Sequence, residues 1–96
     1  MRAATAVALV AMVACGGSAK VIEGRLAEVA GDLETVDSFV LLTEAGERLR
    51  FLADPAARFG DAPLSHLRDH LVSGEPVVVS YEERGDDLVA TAVDDA

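Results

Sequence analysis

The sequence predicts a mainly β domain, a five-stranded barrel with one short helix between the third and fourth strands, preceded by a signal segment. Three observations predict this fold class. Apolar and polar residues alternate in several short runs, glycines lie at turn positions between the runs, and one stretch alone carries apolar residues at helical spacing. The length of 96 residues fits one domain.

The first strand is expected over residues 21–30, where β-branched and apolar residues are interleaved with charged ones. Gly24 and Leu26 share one face by parity, whereas Val29 falls on the other face. This change of face predicts a bulge or a bend, and a glycine at position 24 permits the bend.

The second and third strands are expected on either side of a short hairpin turn. An apolar run over residues 38–43 predicts the second strand, and alternation over residues 48–53 predicts the third. Gly46 supplies the glycine that a short hairpin loop needs. The two strands should therefore pair in antiparallel fashion.

A helix of about 9 to 11 residues is expected after the third strand. Asp54-Pro55 ends that strand, residues 56–62 are expected to be irregular, and Pro63 suits the first turn of a helix. Ser73-Gly74 provides the stop. The apolar face of the helix consists of Leu64, Leu67 and Leu71.

Two further strands complete the domain. Alternation beginning at Val77 predicts the fourth, Gly85 lies in the following turn, and residues 88–93 form the fifth. The tail, residues 94–96, is expected to be frayed. Strand, strand, strand, helix, strand, strand is the order of a Greek-key OB-like barrel. The expected core comprises Leu26, Phe39, Leu41, Leu49, Phe51, Leu67, Leu71, Val77, Val79 and Tyr81.

Charge limits the classes of partner. The chain has 8 basic and 17 acidic residues and a formal net charge of −9. Its basic residues are scattered, whereas nucleic-acid binding needs a basic stripe that neutralises phosphates. The same acidity disfavours docking of the folded domain on anionic lipid. We therefore expect no nucleic-acid partner.

The first residues have the layout of a secretory signal. Arg2 precedes an uncharged run of about 12 residues, which is too short to span a bilayer because spanning needs roughly 20. Residues 12–16, Met-Val-Ala-Cys-Gly, resemble the bacterial lipobox, although Met12 departs from its usual leucine. The resemblance implies that Cys15, the single cysteine, carries lipid and anchors the protein to the membrane.

Residues 1–19 are accordingly expected to be a signal peptide with a lipobox and a short tether, and residues 20–96 the OB-like barrel domain. The protein would then lie in the cell envelope, anchored on the extracytoplasmic side of the membrane. Two alternatives remain. Residues 17–19 could be an ordinary cleavage site that releases a soluble protein, or the apolar run could be a buried helix of a cytosolic protein.

Residues 21–93 resemble small uncharacterised bacterial OB-like domains. The resemblance is carried by Gly24, by Asp37-Ser38-Phe39, by the helix segment Ser-His-Leu-Arg-Asp-His over residues 65–70, and by Gly-Glu-Pro-Val over residues 74–77. It supports the fold and export, and it implies no established activity.

Three groups of side chains are candidate sites. His66 and His70 are four residues apart, a spacing that suits two ligands of one metal, and by ideal helical geometry both should be at least partly exposed. Arg48 and Arg50 should project together from the third strand, either as a ligand face or as solvated arginines that pair with nearby glutamates, and the latter is favoured. The acids over residues 32–37 suggest a calcium loop but lack the EF-hand spacing, so an acidic turn is favoured.

The sequence lacks the constellations that enzymes need, such as a nucleophile with its base or a phosphate-binding glycine loop, so we expect no enzyme. The leading hypothesis is a non-catalytic exported lipoprotein, a binding or interaction module for an unknown protein or small ligand, without a cofactor. The alternative is a small metal-binding lipoprotein that holds zinc or copper through the helix histidines.

Overall fold

Within residues 19–96, which the computed structural model describes, five long strands close into a barrel with one short helix. This confirms the predicted fold class. The elements in chain order are β1 (Lys20–Ala30), β2 (Ser38–Thr43), β3 (Arg48–Ala53), β4 (Arg58–Phe59), β5 (Ala62–Pro63), α1 (Leu67–Ser73), β6 (Val77–Arg84) and β7 (Asp87–Asp95).

The strand order closes the sheet on itself. Strand β1 pairs antiparallel with both β2 and β6, β2 pairs with β3, and β6 pairs with β7. A parallel pairing of β3 with β7 completes the circle. The pairing of β1 with both β2 and β6, together with the parallel pairing of β3 with β7, gives the topology of a Greek-key OB-like barrel.

Strand β1 bends at Gly24, where it changes partner. Gly24 is opposite Thr43 of β2 and also opposite Val77 of β6. A Cβ at this position would lie 2.5 Å from the carbonyl oxygen of Leu42, so the close approach of the backbones requires glycine. A register shift between Leu26 and Glu28 adds the expected bulge.

The barrel interior is filled by inward-facing residues of all five long strands and of the helix. The rings of Phe39 and Phe51 stack with centroids 5.4 Å apart, and Tyr81 meets Phe51 edge-on at 5.1 Å. Seven of the ten expected core residues are buried, and Leu49, Leu71 and Tyr81 are partly buried against them. The core prediction is confirmed.

The segment after β3 is more ordered than the sequence predicted. Residues 56–62 were expected to be irregular, but β4 and β5 form a small antiparallel hairpin there. Strand β4 also pairs parallel to β7, with Phe59 opposite Val93, and Phe59 is buried in the core. This burial of a large ring explains why the hairpin is held against the barrel.

The helical segment has the expected extent but begins with a tighter turn. A 3-10 turn over Leu64–His66 leads into α1, which has 7 residues, and Gly74 ends it in the left-handed conformation with φ 77°. Within residues 19–96, no helix is long and apolar enough to cross a membrane.

The tail is ordered rather than frayed. Strand β7 continues to Asp95, which lies opposite Val77 of β6, and the N–H of Ala96 donates to the carbonyl of Pro76 at 3.3 Å. The expectation of a frayed tail is therefore wrong, because pairing with β6 holds the last residues in the sheet.

Candidate metal centre

The two histidines lie together at the helix end of the barrel. His66 closes the 3-10 turn and His70 lies in α1, and their ring centroids are 5.2 Å apart. The side chain of His66 is 39% exposed, whereas that of His70 is only 6% exposed. The sequence-based expectation that both are at least partly exposed is therefore wrong for His70.

Two features of the structure explain the burial of His70. The 3-10 turn advances about 120° per residue instead of 100°, which changes the direction of the side chains relative to an ideal α-helix. The β4 strand also places Phe59 against both rings, with centroids 4.8 Å from His66 and 4.7 Å from His70. The ring of His70 is thus covered by Phe59, a residue of the segment that was predicted to be irregular.

A carboxylate contacts each imidazole. Nδ1 of His66 is 3.0 Å from Oδ2 of Asp69, and Nε2 of His70 is 3.1 Å from Oδ1 of Asp95. A neutral imidazole has one N–H and one bare nitrogen, and a carboxylate accepts from the N–H. Nδ1 of His66 and Nε2 of His70 thus lie beside carboxylates, whereas Nδ1 of His70 has no polar partner within the described part of the chain.

The second ring nitrogen of His70 is unusual in its surroundings. Nδ1 of His70 is buried and has no hydrogen-bond partner among residues 19–96. An unsatisfied buried polar atom costs about 1–3 kcal/mol. An apolar side chain of similar size would avoid this cost, so the histidine is not explained by the stability of the barrel.

The site is not assembled as a complete metal cage. Within residues 19–96, no group of three or more histidine, cysteine, aspartate or glutamate side chains is placed to hold a metal ion. The carboxylates of Asp69 and Asp95 are 76% and 74% exposed, so both side chains can rotate at little cost. The arrangement can offer two imidazoles at once and can recruit a carboxylate or water for the remaining positions.

The sequence missed Phe59 and Asp95 as members of this site. The sequence did not place Phe59 in the site because it did not predict the β4–β5 hairpin. For Asp95, in contrast, the alternation of the last strand could have been extended. Asp95 has the parity of Val93 in the last strand, and Val93 is buried, so continuing the strand by two residues would have placed the carboxylate on the same side.

Arg48 and Arg50 project from β3 on the exposed side of the sheet, as the sequence predicted. Nη2 of Arg48 donates to Oε2 of Glu28 at 2.8 Å, and Nη1 of Arg50 donates to Oγ of Ser38 at 3.2 Å. Strands β2 and β3 contain no acidic residue. The two arginines lie on the same face, and one of them is paired with a glutamate of β1.

Among residues 19–96, the other candidate features form no metal centre. Oδ1 of Asp32 accepts from the hydroxyl of Thr35 and from the backbone N–H groups of Glu34 and Thr35, at 2.8 to 2.9 Å. The acidic loop is thus a hydrogen-bonded turn, as favoured from the sequence. An open hollow of about 650 Å³ beside this loop is lined by neither histidine. Cys15 lies outside the described residues, as do all other residues of the predicted signal segment up to position 18.

Comparison with known proteins identifies similar folds. No family model and no curated protein matches the chain. Apo-CusF from Escherichia coli matches with a TM-score of 0.57 and 12% identity, over 92% of this chain and 99% of its own. Silver(I)-bound CusF from Escherichia coli matches with a TM-score of 0.59 and 11% identity, over 85% and 96%.

A further silver(I) complex of CusF has a TM-score of 0.55 and 13% identity, and it covers 82% of this chain and 99% of that one. Likeness at such low identity concerns the path of the backbone and no individual side chain. The barrel of this chain is therefore similar in fold to that of CusF.

Proposed function

We propose that this protein is a non-catalytic module that binds a transition-metal ion through His66 and His70. One observation carries the proposal: the ring of His70 is buried with an unpartnered nitrogen, beside a second imidazole whose centroid is 5.2 Å away. A buried histidine with this arrangement costs stability, whereas it supplies a fixed ligand for a metal. Imidazole suits zinc and copper, among others.

The fold comparison supports metal binding over a general interaction module. Two of the CusF structures with this fold hold silver(I). A small barrel of this type therefore accommodates a metal ion without a large domain around it. The face that carries Arg48 and Arg50 has no comparable support, because one arginine is already paired and both are exposed.

The proposal places the module at the extracytoplasmic side of the membrane, anchored by lipid on Cys15. The basic start, the short apolar run and the small residues around the cysteine support this location. Replacing Cys15 with serine should release the protein from the membrane fraction or block its processing. Equal recovery of wild type and variant in the soluble fraction would contradict the lipid anchor.

Calorimetric titration tests metal binding directly. Zinc and copper(II) are titrated into the purified protein at about pH 7.5, where free imidazole is largely neutral. We expect saturable binding to the wild type and its loss in a variant that combines His66→Gln with His70→Leu. Replacement of both Arg48 and Arg50 by glutamine serves as the matched control and should leave the titration unchanged.

The histidine variant must retain the barrel for this comparison, which circular dichroism and a thermal melt establish. Absence of binding in the folded wild type, or equal binding in the folded histidine variant, would overturn the proposed function.

A further inference from the structure

A hollow lies between the β1–β2 loop and the segment that follows β3. Its volume of about 650 Å³ is within the usual range of ligand sites, about 300–1,000 Å³. Residues 34–37 form one wall, residues 53–58 form the other, and residues 63–65 complete the lining. Neither candidate histidine lines the hollow, so this surface is separate from the candidate metal centre.

We infer that the hollow docks a basic segment of a partner protein, in which a lysine or an arginine has apolar neighbours. Because the hollow is open, a small molecule in it would stay largely hydrated, whereas the surface of a protein can cover the opening. The inference goes beyond the proposed function and does not depend on metal binding.

Both walls of the hollow are held in position by hydrogen bonds. In the β1–β2 loop, Oδ1 of Asp32 accepts from the N–H of Thr35 at 2.8 Å. In the second wall, Oδ1 of Asp54 accepts from the N–H of Ala56 at 2.9 Å, and Oδ2 of Asp54 lies 3.2 Å from Nη2 of Arg84. A surface that is already ordered loses little conformational entropy when a partner binds.

Carboxylates give the hollow an excess of negative charge. Glu34 and Asp37 are exposed, and neither carboxylate makes an ion pair within residues 19–96. Arg58 is the one basic residue among the described residues of the lining, and it donates to the backbone carbonyl of Asp61. Two carboxylates are thus available to a cation, and the formal net charge of −9 attracts a basic partner from a distance.

Apolar side chains lie along the same surface. Val36 and Pro55 belong to the two walls, and Leu64 joins the lining to the core. Leu33, which directly precedes the first wall in the chain, is 86% exposed. A segment that presents apolar residues beside its basic one can cover these side chains and neutralise the carboxylates together, which neither a free amine nor an inorganic cation can do.

Fluorescence anisotropy tests the docking without metal, with a labelled short peptide in which arginine and leucine alternate. The test variant combines Glu34→Gln with Asp37→Asn. The matched control combines Glu44→Gln with Glu47→Gln, which removes the same charge from the β2–β3 turn, outside the lining. We expect the test variant to bind the peptide about tenfold more weakly than the wild type and the control to bind it nearly as well. Circular dichroism establishes that both variants retain the barrel.

A second peptide, with serine in place of leucine, keeps the charge and removes the apolar contacts, so it should bind the wild type more weakly. Equal weakening by the two charge variants would mean that only the net charge of the domain attracts the peptide, and would refute the inference. Equal binding of the two peptides, or no binding of either, would refute it as well. The proposed function is decided separately, by the metal titration of the histidine variant.

Discussion

Polar side chains at the helix end of the barrel differ from those on the face of β2 and β3. At the helix end, His70 is 6% exposed and has a buried nitrogen without a hydrogen-bond partner. On the sheet face, Arg48 is 56% exposed and pairs with Glu28 in solvent. Side chains that could bind a ligand lie in both regions, but only at the helix end does one of them reduce the stability of the fold.

This difference separates a candidate site from a solvated surface. An exposed arginine loses little hydration on folding, so its presence needs no functional explanation. A buried imidazole that leaves a nitrogen unsatisfied opposes folding by about 1–3 kcal/mol. The structure therefore favours the helix end as the candidate site, although the sequence predicted candidate residues both there and on the β3 face.

The largest effect is expected from the core that supports both regions. Phe51 is fully buried on β3, directly below the sheet face, and contacts Phe39 and Tyr81. Phe51→Ala should lower the free energy of unfolding by about 3–5 kcal/mol. Chemical denaturation measures this change.

Leu52 is the matched control, because it follows Phe51 in β3 but is 41% exposed. Leu52→Ala should change the free energy of unfolding by much less. Similar losses for the two variants would show that the inside and outside of β3 are wrongly assigned.

At the helix end we expect a substitution that does not lower the free energy of unfolding. His70→Leu removes the unsatisfied nitrogen and keeps an apolar side chain of similar size against Phe59. We expect the free energy of unfolding to stay equal or to rise by about 1 kcal/mol, because the desolvation cost disappears. Thermal and chemical denaturation without metal measure it.

A clear destabilisation by His70→Leu would show that His70 is a structural residue, and the claim that it is retained at a cost to stability would then be wrong. The contact with Asp95 would in that case contribute more than the buried nitrogen costs. His66→Gln gives the reference for the more exposed ring and should change stability little.

The fold could be predicted because alternation alone determines most of it. The bounds of β2, Ser38–Thr43, coincide with the apolar run, and the bend at Gly24 follows from the change of face along β1. The hairpin of β4 and β5 could not be predicted, because each strand has 2 residues and shows no period. The burial of Phe59 and the pairing of β4 with β7 hold it against the barrel, and both are tertiary effects.

The sequence predicted the histidine pair of the candidate site but not the residues that surround it, because these depend on tertiary contacts. The spacing of His66 and His70 placed both on one helical segment, which the structure bears out. Their burial depended on Phe59 and on the 3-10 turn, which helical geometry at 100° per residue omits. Asp95 lies at the end of β7, far from the helix along the chain, and the pairing of β7 with β6 opposite Val77 brings it beside His70.

Asp32 sharpens the comparison because it is an exposed carboxylate with a structural role. The hydroxyl of Thr35 and the N–H groups of Glu34 and Thr35 hold the pKa of Asp32 below its usual range. Stability from a lowered pKa is fully present above the unfolded value of about 3.9, and it is lost as the pH falls through the folded value.

We therefore expect Asp32→Asn to be less stable than wild type at neutral pH and the difference to shrink in acid, below about pH 4. Denaturant midpoints across this range measure it, with Asp86→Asn in the β6–β7 turn as the control. A difference that stays constant with pH would show that the ionised carboxylate is not what stabilises the turn.

The smallest effect is expected on the sheet face. Arg48 and Glu28 are 2.8 Å apart but 56% and 59% exposed, and such pairs contribute about 0–1 kcal/mol. A double-mutant cycle with Arg48→Gln and Glu28→Gln should give a coupling energy in this range that falls as salt is added. Arg50→Gln, which loses a hydrogen bond to Ser38 and no ion pair, should show little dependence on salt. A coupling of several kcal/mol would mean that the arginine on this face is held as firmly as the imidazole at the helix end, and the distinction between the two regions would then fail.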